Sequence, residues 1–165
     1  MILGANNLNK HFDRLSKVEL KNGISKGISF VQEAAKANCP VFDGELRSKI
    51  LTEVTEEKDT VRGTCWPAVK HGIFVELGTG PKGQANHEGI SPDIAVAYTQ
   101  SPWWIHESQI DREVAEHYHF FYIDTPQGRF YQCTGQAAQP YLYPALKDNE
   151  EEIVRLIGEE IKKQL

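Results

Sequence analysis

The side chains with chemistry to offer are six histidines, three cysteines and a set of carboxylates near position 110. His106-Glu107 opens like the zinc-helix pattern HExxH, but position 110 is Ile, so the second imidazole is missing. His117 and His119 stand two apart. On a strand they would share a face, and with a nearby carboxylate they could hold a metal. A small metal-dependent hydrolase or metal-binding accessory protein built on His117/His119 is therefore the enzymatic reading the chain offers. The plainer reading is a pair of surface residues on an aromatic-rich sheet. Asp111, Glu113 and Glu116 read as solvated charge. His71 and His87 have no evident partner.

Nucleophilic chemistry has less support. There is no GxSxG elbow. Cys39, Cys65 and Cys133 are far apart, form no CxxC spacing and read as reduced, core-like residues. Gly78-Thr79-Gly80 is too short for a phosphate loop, and Lys82 lacks the required spacing. It reads as a chain reversal in which glycine supplies positive φ. No catalytic residue, cofactor or metal is expected, and the chain reads as a non-enzyme.

The elements that would position these residues follow from periodicity. A first helical stretch is capped by Asn6 or Asn7 and carries Leu8, Phe12 and Leu15 on one face. Asn22-Gly23 interrupts it, giving either one kinked helix or two helices. A second stretch, with Ile24, Ile28, Val31 and Ala35 on one stripe, ends at Pro40. Ser48 to Thr55 and Thr60 to Trp66 read as a hairpin turning at Lys58-Asp59. Pro67 to Gly78 suits a short helix. From Thr79 to Glu116 glycines and prolines dominate, and a long loop carrying Trp103 and Trp104 is expected. His117 to Asp124 reads as a strand that turns at Thr125-Pro126-Gln127-Gly128 into Arg129 to Cys133. A final helix begins near Pro144, with Leu146, Ile153, Ile157 and Ile161 on its face and Val154 and Leu156 widening it. Early acids and late lysines suit its macrodipole. The expectation is an α+β fold: an antiparallel sheet of about four strands, a long N-terminal helical segment and a C-terminal helix packed on it, and a long central loop.

Composition bounds what such a fold can do. The 165 residues favour a single domain, 1–165, with 79–116 as a loop insertion. A net charge of −5 argues against specific nucleic-acid binding. No apolar run approaches the ~20 residues that span a bilayer, so no membrane partner is expected. Met1 to Lys10 shows no signal-peptide pattern, which predicts a cytoplasmic origin.

Three segments carry a resemblance. They are Cys39-Pro40-Val41-Phe42-Asp43-Gly44-Glu45-Leu46-Arg47-Ser48-Lys49-Ile50, then Phe74-Val75-Glu76-Leu77-Gly78-Thr79-Gly80, then Gly135-Gln136-Ala137-Ala138-Gln139-Pro140-Tyr141-Leu142-Tyr143-Pro144-Ala145-Leu146. In order and content they resemble the bacteriophage HK-97-type tail-completion or head–tail joining family, whose members carry PVDTGxLRxSI, VEFGTG and GQxPQPFLRPAL. Phe42-Asp43 stands where the family has Asp-Thr, Leu77 and Tyr141 replace Phe, and Tyr143 replaces Arg. Ser101-Pro102-Trp103 matches the family's TPW loosely.

The resemblance implies a structural protein of virion morphogenesis that completes the tail or joins it to the head connector. It would do so as a ring of copies of itself, in the host bacterial cytoplasm during assembly and in the virion neck or tail afterwards. Its partners would be the tail tube and head connector proteins. Trp103, Trp104, Glu76 and Arg47 are the candidate assembly residues; for the tryptophan pair the plainer reading is that one of them packs on the domain and anchors the loop. Glu76 is either a rim residue facing solvent or a partner for Arg47 or a neighbouring subunit. Pro40, Gly44, Leu46, Gly78, Thr79, Gly80, Pro140, Leu142, Pro144 and Leu146 are expected to be structural, with Pro140, Leu142 and Pro144 seating the last helix against the sheet.

Overall fold

The computed structural model describes residues 19–58 and 60–165. The expected first helical stretch, with Asn6, Asn7, Leu8, Phe12 and Leu15, and Asp59 of the expected turn lie outside the described residues. The fold is α+β, as the pattern predicts. The chain divides into two compact units, one formed by residues 1–69 and 141–165 and the other by 70–140. Among the described residues no helix is long and apolar enough to cross a membrane.

The first unit is organised by α1, Leu20–Asn38. Its buried stripe is Gly23, Gly27, Val31 and Ala35, one residue per turn. The helix begins at Leu20, after an extended Glu19, and takes Asn22-Gly23 into its first turns, a few residues before the restart expected at Ile24. The reason is close approach. A Cβ on Gly23 would stand 3.2 Å from Ile157 Cγ2 and one on Gly27 would stand 3.2 Å from Ile153 Cγ2. Both isoleucines belong to the last helix, α7, Glu150–Lys162. Removing two side chains from α1 lets that helix settle on it, which offsets the intrinsic cost of glycine. Ile24 and Ile28 flank the stripe and are half-buried.

Pro40 ends α1, and the Cys39 N–H closes on the Ala35 carbonyl at 2.9 Å. Gly44, at φ +86°, caps the short α2, Glu45–Ser48, whose Leu46 is buried. Strands β1, Ile50–Glu57, and β2, Thr60–Pro67, pair antiparallel with Glu57 opposite Thr60. Lys58 takes φ +46° in the turn. This hairpin lies on α1. Gly63 sits over Ile24 and Ile28, and the Gln32 amide donates to the Ile50 carbonyl at 2.7 Å.

The C-terminal segment forms two helices, where one was expected. They are α6, Leu142–Lys147, and α7. The Asn149 side-chain amide donates to the Ala145 carbonyl at 3.0 Å and so replaces the next backbone donor of a continuing helix. The break turns the expected stripe. Leu146 and Val154 are exposed, while Ile153, Ile157 and Ile161 keep their place. Pro144 is tolerated in the first turn, where backbone N–H groups have no helical acceptor. Tyr141 and Ala145 are fully buried, and α6 packs on α1; the expected seat was the sheet.

The second unit begins with α3, Gly72–Leu77, and α4, Gly80–Ala85. It continues with β3, Trp103–His106, a 3-10 turn over Glu107–Gln109, and α5, Arg112–His117. It ends with β4, Phe121–Thr125, and β5, Gly128–Cys133. The strands form a three-stranded antiparallel sheet in the order β3-β5-β4, separate from the two-stranded β1-β2 sheet. The expected loop at 79–116 is therefore interrupted by α4, β3 and α5, and its longest run without helix or strand is 86–102. Trp103–His106 was missed because a four-residue strand has little period, and its partner lies some thirty residues away in β5.

Gly63 separates local preference from packing. A β-branched residue suits a strand, but a Cβ there would lie 3.1 Å from Ile28 Cβ. Gly63→Val is expected to cost about 2 kcal/mol by overpacking, read as a lower thermal midpoint by circular dichroism.

Candidate functional site

Two of the three resemblance segments meet in the backbone. Thr79 bridges Gln136: the Thr79 N–H donates to the Gln136 carbonyl at 2.9 Å and the Gln136 N–H to the Thr79 carbonyl at 3.1 Å. Three further bonds extend the junction. The Gln139 N–H reaches the Val75 carbonyl at 2.8 Å, the Lys82 N–H the Thr134 carbonyl at 3.2 Å, and the Gln136 side-chain amide the Phe74 carbonyl at 2.7 Å. Glycines make this approach possible. Gly78 and Gly135 take φ +74° and +79°, and a Cβ on Gly135 would overlap the Thr79 carbonyl. Gly78, Thr79 and Gly80 thus act as the chain reversal expected of them.

Other predicted residues divide by role. Arg47 donates to the Cys39 carbonyl at 3.0 Å and closes the turn after α1, while Asp43 accepts the Glu45 N–H at 2.8 Å. The side chain of Glu76 is not a solvent-facing rim residue: the residue is only 8% exposed. Instead α3 exposes Ile73 and Phe74 and buries Gly72 and Glu76, the reverse of a surface helix.

His117 and His119 do not share a strand face. Asp111 caps α5 by accepting the Glu113 N–H at 3.1 Å, and the helix carries on to His117. His119 follows in a turn at φ +50°. The aromatic run favoured a strand from 117, but the cap shortly after the 3-10 turn starts a helix first. The capping residue was the visible signal for it. Among the described residues no three His, Cys, Asp or Glu side chains are placed to hold a metal ion.

The feature that remains is the three-stranded sheet. Pairing sets its faces, because alternate residues point the same way. Trp103 and Ile105 of β3, Tyr122 and Asp124 of β4, and Arg129, Tyr131 and Cys133 of β5 lie on one face. Tyr131 is buried there. Arg129 holds Asp124 at 2.8 Å and places its guanidinium 3.9 Å over the Tyr122 ring. The pairing hydrogen bond keeps the Asp124 carboxyl below its ordinary range and the Arg129 guanidinium above its own. Glu107, Arg112, Asp124, Arg129 and Tyr131 border a shallow groove of about 290 Å³. Each arginine there already faces a carboxylate, Arg112 meeting Glu116 at 2.7 Å, so neither stands as an open cation in the groove.

The opposite face carries Trp104, His106, Phe121, Ile123, Phe130 and Gln132. Trp104 and Phe121 approach to 6.1 Å between ring centres, and His106 meets Phe130 edge-on at 5.0 Å. Trp104 is 43% exposed, Phe121 63% and Ile123 41%. The two tryptophans do not wait together for a neighbour; they part, as the plainer reading has it. Trp103 turns to the other face and packs on Gly80, where a Cβ would be 2.8 Å from its ring. Trp104 is left at the surface. Trp104, Phe121 and Ile123 thus form an exposed apolar patch on this face.

The glycines of the junction and of the α1 exit should respond differently to the same change. Gly44→Ala, with open space around its Cβ, should cost about 1 kcal/mol for positive φ alone. Gly135→Ala must also move the Thr79 backbone and should cost at least about 3 kcal/mol, measured by chemical denaturation. Comparison with known proteins finds no match: no family model, no curated protein and no solved structure aligns with this chain.

Proposed function

We propose that this chain is a structural assembly protein of a tailed bacteriophage or prophage, completing the tail or joining it to the head connector as a ring of identical copies. It works by shape and contact and transforms no substrate. The observation that carries this reading is the exposed aromatic face of Trp104, Phe121 and Ile123. The three ordered segments of the resemblance supply the family. Their glycines and prolines make turns and close backbone approaches, as a shared scaffold would need.

A ring requires a head-to-tail interface whose rotation closes. Buried aromatic anchors commonly supply the energy of such contacts, and Trp104 is the residue placed to do so. Trp103 is a fold residue in this scheme, through its packing on Gly80. The acidic surplus, −5, also suits a channel part past which DNA must move without sticking. The protein would be made in the host cytoplasm and act in the virion neck or tail.

Trp104→Ala should leave the chain folded, with a loss of about 1 kcal/mol, and should abolish the ring seen by electron microscopy when the chain is mixed with its tail tube. Trp103→Ala should instead lower stability. A Trp104→Ala chain that still forms the ring would overturn the role assigned to that face. Wild-type chain that never binds a tail tube or connector would overturn the function.

A further inference from the structure

The edge of β4 carries more than its face. Thr125 and Gly128 close a two-residue hairpin and face each other, so Phe121, Ile123 and Thr125 aim their backbone N–H and C=O groups at β5. Tyr122 and Asp124 aim theirs the other way. Among the described residues no strand lies on that side. The strand is also exposed along its length, with Tyr122 at 48% between Phe121 and Ile123.

Edges of this kind are normally blunted by charged side chains, lysine above all, by proline or by a bulge. The β1-β2 hairpin follows that rule, with Glu53, Glu56 and Glu57 along β1. Strand β4 does not. Its residues are Phe-Tyr-Ile-Asp-Thr, and its one charge, Asp124, is held by Arg129. The other edge of the same sheet, β3, is shorter and mostly half-buried.

We propose that β4 pairs with β4 of a second copy of this chain, antiparallel about a two-fold axis at Ile123. The register is self-complementary. Tyr122 lies opposite the second copy's Asp124, and the two exchange both backbone hydrogen bonds; the same happens at the symmetry-related position. Ile123 meets its own copy as the closer, non-bonded pair, and Phe121 meets Thr125. No carboxylate opposes a carboxylate, because each Asp124 faces a tyrosine. On one face the apolar run Trp104, Phe121 and Ile123 continues across the axis. On the other, each Asp124–Arg129 pair lies beside a Tyr122 ring. The product is a six-stranded sheet in the order β3-β5-β4-β4-β5-β3. A foreign strand would gain the same backbone bonds; the chain's own copy adds its exposed Trp104, Phe121 and Ile123 to the same apolar run across the axis.

The pairing does not rest on the tail-assembly reading. It closes at two copies and cannot itself build a ring. Sedimentation of the full chain should give a concentration-dependent mass rising from 18.6 kDa towards twice that value. Ile123→Lys places like charges on the axis and should hold the chain monomeric at the highest concentration reached by wild type, with an unchanged circular dichroism spectrum. Ile123→Cys should form an intermolecular disulfide under mild oxidation, mapped by mass spectrometry to position 123 of both copies, because the Cα atoms of a non-bonded antiparallel pair lie about 4.5 Å apart. That measurement stands even if Ile123→Lys fails to fold. Wild-type chain that stays monomeric overturns the proposal, including the case where β4 gains a strand only when a tail tube protein is added. A dimer that survives Ile123→Lys, or an Ile123→Cys chain that does not crosslink, overturns it equally.

Discussion

The second unit depends on a place where two stretches of backbone touch with no side chain between them. Thr79 and Gln136 exchange hydrogen bonds across fifty-seven residues of chain, and Gly78, Gly80, Gly83 and Gly135 leave room for that exchange. The neighbouring bonds from Gln139 to Val75 and from Ala138 to Asn86 extend the contact along both stretches of chain. Neighbouring parts of the unit are tied to it: Trp103 rests on Gly80, and the Tyr98 hydroxyl donates to the Leu77 carbonyl at 2.8 Å, tying down the irregular 86–102 stretch. The first unit uses the same device differently. There Gly23 and Gly27 remove side chains from α1 so that Ile153 and Ile157 can approach. In both units glycine is selected for distance as much as for φ.

That double use of glycine explains much of what could be read from the sequence. The two hairpins, the short helix before Gly78 and the stop at Pro40 were legible, because turn chemistry and period are local. Gly23 was read as lying between two stretches, whereas it falls in the first turns of α1, since its reason, the face of Ile157, comes from the far end of the chain. The division into two sheets was illegible for the same cause. Nothing local separates β1-β2 from β3-β5-β4; β3 is recognisable only beside β5. The final helix broke at Asn149 because a side-chain amide took a backbone acceptor, a competition that the Leu146-to-Ile161 stripe conceals.

The candidate site was legible in part. Trp104 was picked out with Trp103 by type alone, and only the strand pleat separates a surface aromatic from a packing one. Phe121 and Ile123 were read as strand residues but not as surface. Period and β-propensity place a residue in a strand and say nothing of what covers its face. Glu76 shows the converse: a charge between apolar neighbours suggested the rim, and the short helix turned it inward.

The chain order of the two units bears on biosynthesis. One unit is continuous, 70–140, whereas the other joins 1–69 to 141–165. A ribosome releases the chain from its N-terminus, and domains tend to close as soon as their parts are available. The β3-β5-β4 sheet and its Thr79–Gln136 clasp are complete before α6 and α7 exist. Until those helices emerge, Gly23 and Gly27 on α1 face no isoleucines. The nascent protein therefore carries its aromatic sheet face ready-made while the helix pair that finishes it is still being translated.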